Sequence, residues 1–246
     1  MTDTAILSHL DKERGFMRSF QCGILALCLL SAPLTFAPAA RADVLKVTGF
    51  AVGSQTVRLV SPSPFVSRDV NAGAFNLNPP AGVLAYCIDL FQTISFGTLY
   101  SDYTTTSLAA DAQITAARKG EIAQLFHGFY TTSLTSSTNS AAFQLALWEI
   151  VFETGSTLNV DGGDLANRGV THAKSPTTPA GVVLLADTWL GGLGSFSTDL
   201  GGFTTYRSPE HQDQISYRPV PEPPTWALVF AGLGTLGFMA RRRQRS

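Results

Sequence analysis

The hydrophobic pattern changes its period along the chain, and this change limits the fold more than any other feature. Over residues 44–70 apolar and polar residues alternate, and Gly53-Ser54 and two Ser-Pro pairs interrupt them, which predicts two or three strands. Further strands are predicted over residues 82–90 and 93–103. The first half of the folded part is therefore predicted to be β-structure.

The middle of the chain shows helical spacing instead. Apolar residues over 109–129 recur every three or four positions and predict a first helix. The stretch AAFQLALWEIVFE, after an N-cap at Asn139 or Ser140, predicts a second helix that pairs with the first, and residues 179–190 predict a third. With strands again predicted over 195–217, the fold class is α+β: an antiparallel β-sandwich or barrel with a small inserted helical subdomain.

The N-terminal residues 1–42 are predicted to be an extension and a signal peptide. From Met17 they show a short basic start, an apolar run and the small-x-small pattern Ala-Arg-Ala before Asp43. Translation from Met17 is favoured, and the alternative is a long polar leader from Met1. A buried helix or a permanent anchor is the other interpretation of the apolar run. The pattern predicts export of the domain formed by residues 43–218.

The C-terminal residues 219–246 contain three features in a fixed order. They are a Val220-Pro221-Glu222-Pro223 box, a glycine-containing apolar run over 224–240, and a cluster that includes Arg241, Arg242 and Arg243. The apolar run is marginally long enough to cross a membrane, and the arginines behind it favour a cytoplasmic end. The segment predicts a membrane helix with the domain outside the cytoplasm. The alternative interpretation, a plain C-terminal anchor, predicts nearly the same location.

This order of parts resembles the PEP-CTERM sorting signal of Gram-negative bacteria. The resemblance implies an exosortase as partner, a membrane-embedded cysteine protease or transpeptidase that acts at the motif. It also implies that the chain sits transiently in the inner membrane through its C-terminal helix and then reaches the cell surface or extracellular matrix.

Composition and spacing disfavour several other classes of function. Charged residues make up 14% and the net charge is -1, which gives no electrostatic reason to expect nucleic acid. There is no paired-histidine metal spacing and no phosphate-binding glycine loop. The DGGD sequence at 161–164 is better explained as a polar turn than as a calcium loop. No metal and no cofactor is predicted.

The exported domain has one cysteine. Cys22 and Cys28 lie in the predicted signal peptide, so Cys87 has no partner for an intramolecular disulfide in an oxidising compartment. One explanation is that Cys87 is an ordinary core residue of a strand, because unpaired cysteine is among the most buried residue types. The protein would then be a structural or matrix-binding surface protein that acts without covalent chemistry.

A second explanation is a cysteine hydrolase. Cys87 would be the nucleophile, with His127, His172 or His211 as the base and Asp89 to orient it. No glycine-rich nucleophile turn surrounds Cys87, so only the residue types support this hypothesis.

A third explanation joins two short motifs. The segments YCID at 86–89 and FQLALW at 143–148 resemble the paired motifs of the Cys-Gln thioester domains of bacterial surface proteins. The resemblance implies that the sulfur of Cys87 attacks the side-chain carbonyl of Gln144, that ammonia leaves, and that an internal thioester remains. An unpaired exported cysteine is what such chemistry requires.

The same resemblance implies a pocket around the bond. Tyr86, Asp89 and Trp148 would line it, and Trp148 shares a helix face with Gln144 four residues before it. The implied activity is covalent attachment to an unknown surface amine, hydroxyl or polysaccharide. The protein is accordingly predicted not to be an enzyme.

Overall fold

The computed structural model describes residues 42–62, 65–153, 155–160 and 178–219, together with Leu233. The strands of this part are β1 (Ala42–Leu45), β2 (Val47–Phe50), β3 (Gln55–Pro62), β4 (Phe65–Ala72), β5 (Phe75–Leu77), β6 (Val83–Cys87), β7 (Tyr100–Ser107), β8 (Phe203–Arg207) and β9 (Gln214–Tyr217). The helices are α1 (Ala116–Ser133), α2 (Ser137–Phe152) and α3 (Ala180–Gly191), and a short 3-10 helix follows at Leu193–Ser195.

Seven strands form a nearly closed antiparallel barrel in the order β1-β7-β8-β9-β6-β5-β2. Its two edge strands, β1 and β2, are consecutive in the chain and are separated only by Lys46. The N–H of Lys46 donates to Pro79 O at 3.0 Å, and its C=O accepts the N–H of Asn78 at 2.9 Å. One N-terminal segment therefore pairs with both ends of the sheet, which leaves little unpaired edge.

Strands β3 and β4 form a separate two-stranded hairpin. The hairpin contacts α2: Val57 and Leu59 are buried, and Nε2 of Gln55 donates to Oγ of Ser137 at 2.9 Å. The hairpin thus covers one side of α2.

Helix α2 is the centre of the described structure. Every residue from Ser140 to Ile150 is buried, as expected for a helix that is apolar on all sides. It contacts α1, α3, β6 and both strands of the hairpin. The ring of Phe126 on α1 joins the layers, with centroid distances of 4.8 Å to Phe143 on α2 and 5.2 Å to Phe203 on β8.

The α+β prediction is confirmed, with a barrel as the β-part. The three helices lie between β7 and β8 in the chain, as predicted for an inserted helical subdomain, and α1 and α2 pair. The strand predicted over 93–103 begins only at Tyr100 and continues to Ser107. Residues 1–41 of the predicted extension and signal peptide lie outside the described residues, whereas Ala42 begins β1.

The first two helices begin at residues other than those predicted. Helix α1 begins after Thr115, whose Oγ1 accepts the N–H of Arg118 at 3.4 Å, which is later than predicted. Helix α2 begins after Ser136, whose Oγ accepts the N–H of Asn139 at 3.1 Å, which is earlier than predicted. The run at 131–140 is therefore largely helical. It contains several residues able to cap a helix, and the pattern alone did not distinguish them.

Gly73, which connects β4 to β5, is expected not to tolerate a side chain. A Cβ there would lie 2.8 Å from the carbonyl oxygen of Gly53 and 3.3 Å from Cδ1 of Phe50. Because the nearest atom belongs to the backbone, Gly73→Ala should lower the free energy of unfolding by about 1–3 kcal/mol in urea denaturation. Gly194→Ala is the control, since its Cβ would meet nothing within 4 Å. Equal stabilities of the two variants would contradict the close approach.

Candidate functional site

The side chain of Gln144 pairs with the backbone of Cys87. Strand β6 pairs with β5 only as far as Ala85 opposite Phe75, so β5 does not reach Cys87 at the end of β6. Oε1 of Gln144 accepts the N–H of Cys87 at 2.9 Å, and Nε2 donates to the C=O of Cys87 at 2.8 Å. Both residues are 1% exposed. The structure thus brings together the two residues that the thioester resemblance pairs.

The thiol of Cys87 is free and buried. Its Sγ donates to the C=O of Asp89 at 2.7 Å and accepts the N–H of Asp89 at 3.3 Å. Burial raises the pKa of the Cys87 thiol well above its usual range, although the backbone of Asp89 and the side chain of Trp148 oppose part of that rise. The sulfur is therefore a neutral thiol at physiological pH.

Asp89 shapes the turn after β6. The residue is 8% exposed, and its Oδ1 accepts the N–H of Phe91 at 2.7 Å and that of Gln92 at 3.4 Å. This arrangement is an Asx turn, in which a carboxylate binds backbone N–H groups a few residues ahead. Asp89 thereby fixes the backbone that contacts the sulfur.

Tyr86 contacts the helices. Its hydroxyl donates to Oγ of Ser133 at 2.7 Å and lies 3.2 Å from Oγ of Ser140, which in turn accepts the N–H of Ala74 at 2.7 Å. Its ring centroid lies 4.5 Å from that of Phe143. Burial raises the pKa of Tyr86 above its usual range, so the phenol stays protonated. Tyr86 thus holds β6 against α1 and α2.

A small cavity of about 30 Å³ lies beside the thiol. Cys87, Asp89, Gln144 and Trp148 line it together with residues of the β3–β4 hairpin, among them Arg68. Trp148 is 3% exposed. Its indole N–H is near enough to the thiol to lower the thiol pKa, but it has no partner at hydrogen-bonding distance and angle in the described part of the chain. Sequence reasoning missed Arg68, because a charged residue on an alternating strand is ordinary.

No histidine that the structure describes lines this cavity. Nε2 of His127 lies 2.9 Å from the C=O of Asp199, and Nδ1 of His211 lies 3.0 Å from Oδ2 of Asp102. His172, the third base candidate, lies outside the described residues. A Cys-His pair is therefore not observed among the residues that the structure describes.

A larger open groove of about 640 Å³ lies at the start of α1. Arg118 donates there to the C=O groups of Glu153 and Gly155 and pairs with Glu121 at 2.6 Å, so its guanidinium is engaged within the chain. Within the described ranges, no group of three or more His, Cys, Asp or Glu residues could hold a metal ion. The DGGD sequence at 161–164 lies outside them.

Comparison with known proteins identifies one segment. Residues 219–243 match the PEP-CTERM protein-sorting motif. The match supports the assignment to exported proteins that carry a C-terminal sorting signal. It further supports an exosortase-processed surface protein that is anchored transiently in the membrane and has exosortase as its processing partner. No curated protein and no solved structure matches the chain.

The sorting residues themselves, from Val220 through the arginine cluster, lie outside the described residues apart from Leu233. Among the helices that the structure describes, none has the length and hydrophobicity needed to cross a membrane. The predicted membrane helix over 224–240 stays a prediction.

Gln144→Ala is expected to destabilise the domain strongly. The substitution removes both hydrogen bonds and leaves the N–H and C=O of Cys87 buried and unpaired, which should cost about 2–4 kcal/mol of unfolding free energy. The comparison is made by urea denaturation in a Cys87→Ala background, so that no bond between the two side chains contributes. Gln113→Ala, at an exposed position, is the control. A cost no larger than that of the control would contradict the pairing.

Proposed function

We propose that the exported domain forms an internal thioester between Cys87 and Gln144 and uses it to attach covalently to a surface amine, hydroxyl or polysaccharide outside the cell. The observation that carries the proposal is the paired hydrogen bonding of the Gln144 amide with the Cys87 backbone, at 2.9 and 2.8 Å. A thiol and an amide react poorly in solution. Folding places the thiol of Cys87 and the amide of Gln144 in one cavity.

The reaction balances with the atoms of the two side chains. Sγ of Cys87 attacks Cδ of Gln144, the bond from Cδ to Nε2 breaks, and the thiol proton leaves with Nε2 as ammonia. Negative charge develops on Oε1 in the tetrahedral intermediate. The N–H of Cys87 already donates to that oxygen, which supports stabilisation of the charge as it forms. No cofactor is needed.

Burial supports the persistence of the bond. Cys87, Gln144 and Trp148 are each at most 3% exposed, so bulk water has little access to the carbonyl carbon. Hydrolysis of the thioester would then be slow, and the bond would persist until an acceptor group enters the cavity and opens it.

Attachment to an acceptor is a single event. Attack by the acceptor breaks the bond between Cδ and Sγ, and the acceptor proton restores the Cys87 thiol. Each domain then reacts once and is not regenerated, so we propose a stoichiometric cross-linking protein rather than an enzyme.

A structural or matrix-binding protein that acts without covalent chemistry is the second candidate. The observation that favours it is the hydrogen bond from Sγ of Cys87 to the C=O of Asp89 at 2.7 Å, which accommodates a permanently reduced core thiol. In that case Cys87→Ser would leave surface attachment intact and lower only the stability of the domain.

The thioester is tested by the masses of peptides from the exported protein. We expect the wild type to weigh one ammonia less than calculated, and to gain one methylamine at Gln144 when treated with methylamine. Cys87→Ala and Gln144→Ala should show neither change, because each lacks one partner of the bond. Gln113→Ala, at an exposed position, should behave as the wild type. A full calculated mass with an alkylatable thiol at Cys87 would refute the thioester.

Processing is tested by the C-terminal peptides of the surface protein. In a host that contains an exosortase, surface material should include peptides of the domain but lack the cluster from Arg241 to Arg243. Pro221→Ala with Glu222→Ala should leave the chain in the membrane fraction, because the motif is altered while the apolar run is intact. Detection of the intact arginine cluster on surface material would argue against cleavage.

A further inference from the structure

Two buried N–H donors in the cavity have no acceptor. Nε of Arg68 and Nε1 of Trp148 are both inaccessible to solvent and have no hydrogen-bond partner among the described residues. Both residues line the same cavity as Cys87 and Gln144. Leaving a donor buried and unpaired destabilises a fold, so two such donors in one cavity indicate a binding position for an acceptor atom.

The β3–β4 hairpin holds Arg68 at this position. Nη2 of Arg68 donates to the C=O of Leu90 at 2.5 Å, which ties β4 to the segment after β6. The guanidinium is always charged and can only donate hydrogen bonds. Arg68 therefore gives a fixed positive charge to the cavity that the side chain of Gln144 also lines.

The mouth of the cavity carries amide side chains. Asn71 is exposed and Gln212 is half-buried, and both line the cavity. Oδ1 of Asn71 accepts from Oγ1 of Thr56 at 3.2 Å, and Gln212 bonds Gln214 and the C=O of Asp89. It is therefore mainly the NH2 group of Asn71, with its two donors, that suits the hydroxyl oxygens of a saccharide. The cavity itself, at about 30 Å³, accommodates a hydroxyl but not a sugar ring.

Building on the proposed function, we propose that this cavity selects a hydroxyl of a saccharide, rather than an amine, as the group that opens the thioester. A hydroxyl oxygen accepts from Nε of Arg68 and Nε1 of Trp148. A lysine amine arrives mostly as an ammonium, which has donors only and is repelled by the guanidinium. The carboxylates of Asp89 and Asp213 also act on the Cys87 thiol, but both are engaged within the chain. Oδ1 of Asp89 accepts two backbone N–H groups, and Oδ2 of Asp213 pairs with Arg207 at 2.7 Å.

The step is an exchange of ester for thioester. The hydroxyl oxygen attacks Cδ of Gln144, the bond from Cδ to Sγ breaks, and the hydroxyl proton moves to the sulfur. The products are an ester at Gln144 and the Cys87 thiol, and no oxidant or reductant takes part.

The test is a competition on the exported protein at neutral pH. Methyl glucoside and methylamine are supplied at equal concentration, and the ester and amide at Gln144 are measured by peptide mass. We expect the ester to predominate in the wild type. Arg68→Gln should shift the ratio of ester to amide about tenfold towards the amide, because the charged donor is lost. Arg58→Gln is the control, on the same hairpin but paired with Asp69 at 3.2 Å.

Loss of ammonia reports separately that each variant is folded and has formed the thioester. If Arg68→Gln does not lose ammonia, the competition is repeated with Trp148→Phe, because phenylalanine keeps an aromatic ring but lacks the N–H donor. If ammonia is lost normally but the amide predominates in the wild type, the inference is overturned and the thioester stands. The same holds if the ratio of ester to amide is unchanged in the variant. No ammonia loss in the wild type refutes the proposed function itself. In a second competition, a serine with blocked termini replaces methylamine. If its ester at Gln144 exceeds that of the glucoside, the choice of a saccharide is overturned.

Discussion

The amide of Gln144 takes the place of a strand beside Cys87, and much of the structure depends on this contact. Because β5 stops short of Cys87, the backbone at the end of β6 needs a donor and an acceptor from elsewhere. A side chain on α2 supplies both. The contact fixes the central helix against the barrel, and so also fixes Trp148 beside the thiol and Ser140 beside Tyr86.

Burial has two opposite effects on the chemistry of the site. It keeps the Cys87 thiol neutral, which protects it from oxidation in an exported protein, since thiolates are the reactive species. It also makes the thiol a poor nucleophile. Under the proposed function, reaction with Gln144 therefore depends on proximity and on the hydrogen bond to Oε1 rather than on an activated sulfur. The β3–β4 hairpin adds a cation that neither β6 nor α2 supplies.

The sorting signal and the barrel support conclusions of different kinds. The signal matches a known motif over residues 219–243, which supports export and exosortase processing. The remainder of the chain matches no curated protein and no solved structure, so any function of the barrel has to be argued from its own geometry. The covalent attachment site that we propose at the end of β6 rests on that geometry.

Hydrophobic period and short motifs are local properties of the chain, so they were enough to predict the α+β class, the three helices and the candidates Cys87 and Gln144. They misplaced the starts of α1 and α2, since neighbouring Ser, Thr and Asn residues can all cap a helix. The other features depend on tertiary contacts. Closure of the barrel by β1 and β2 requires pairing across the whole domain, and Arg68 reaches the cavity only because a separate hairpin packs on α2. Such contacts join residues far apart in the chain, and neither periodicity nor composition encodes which of them meet.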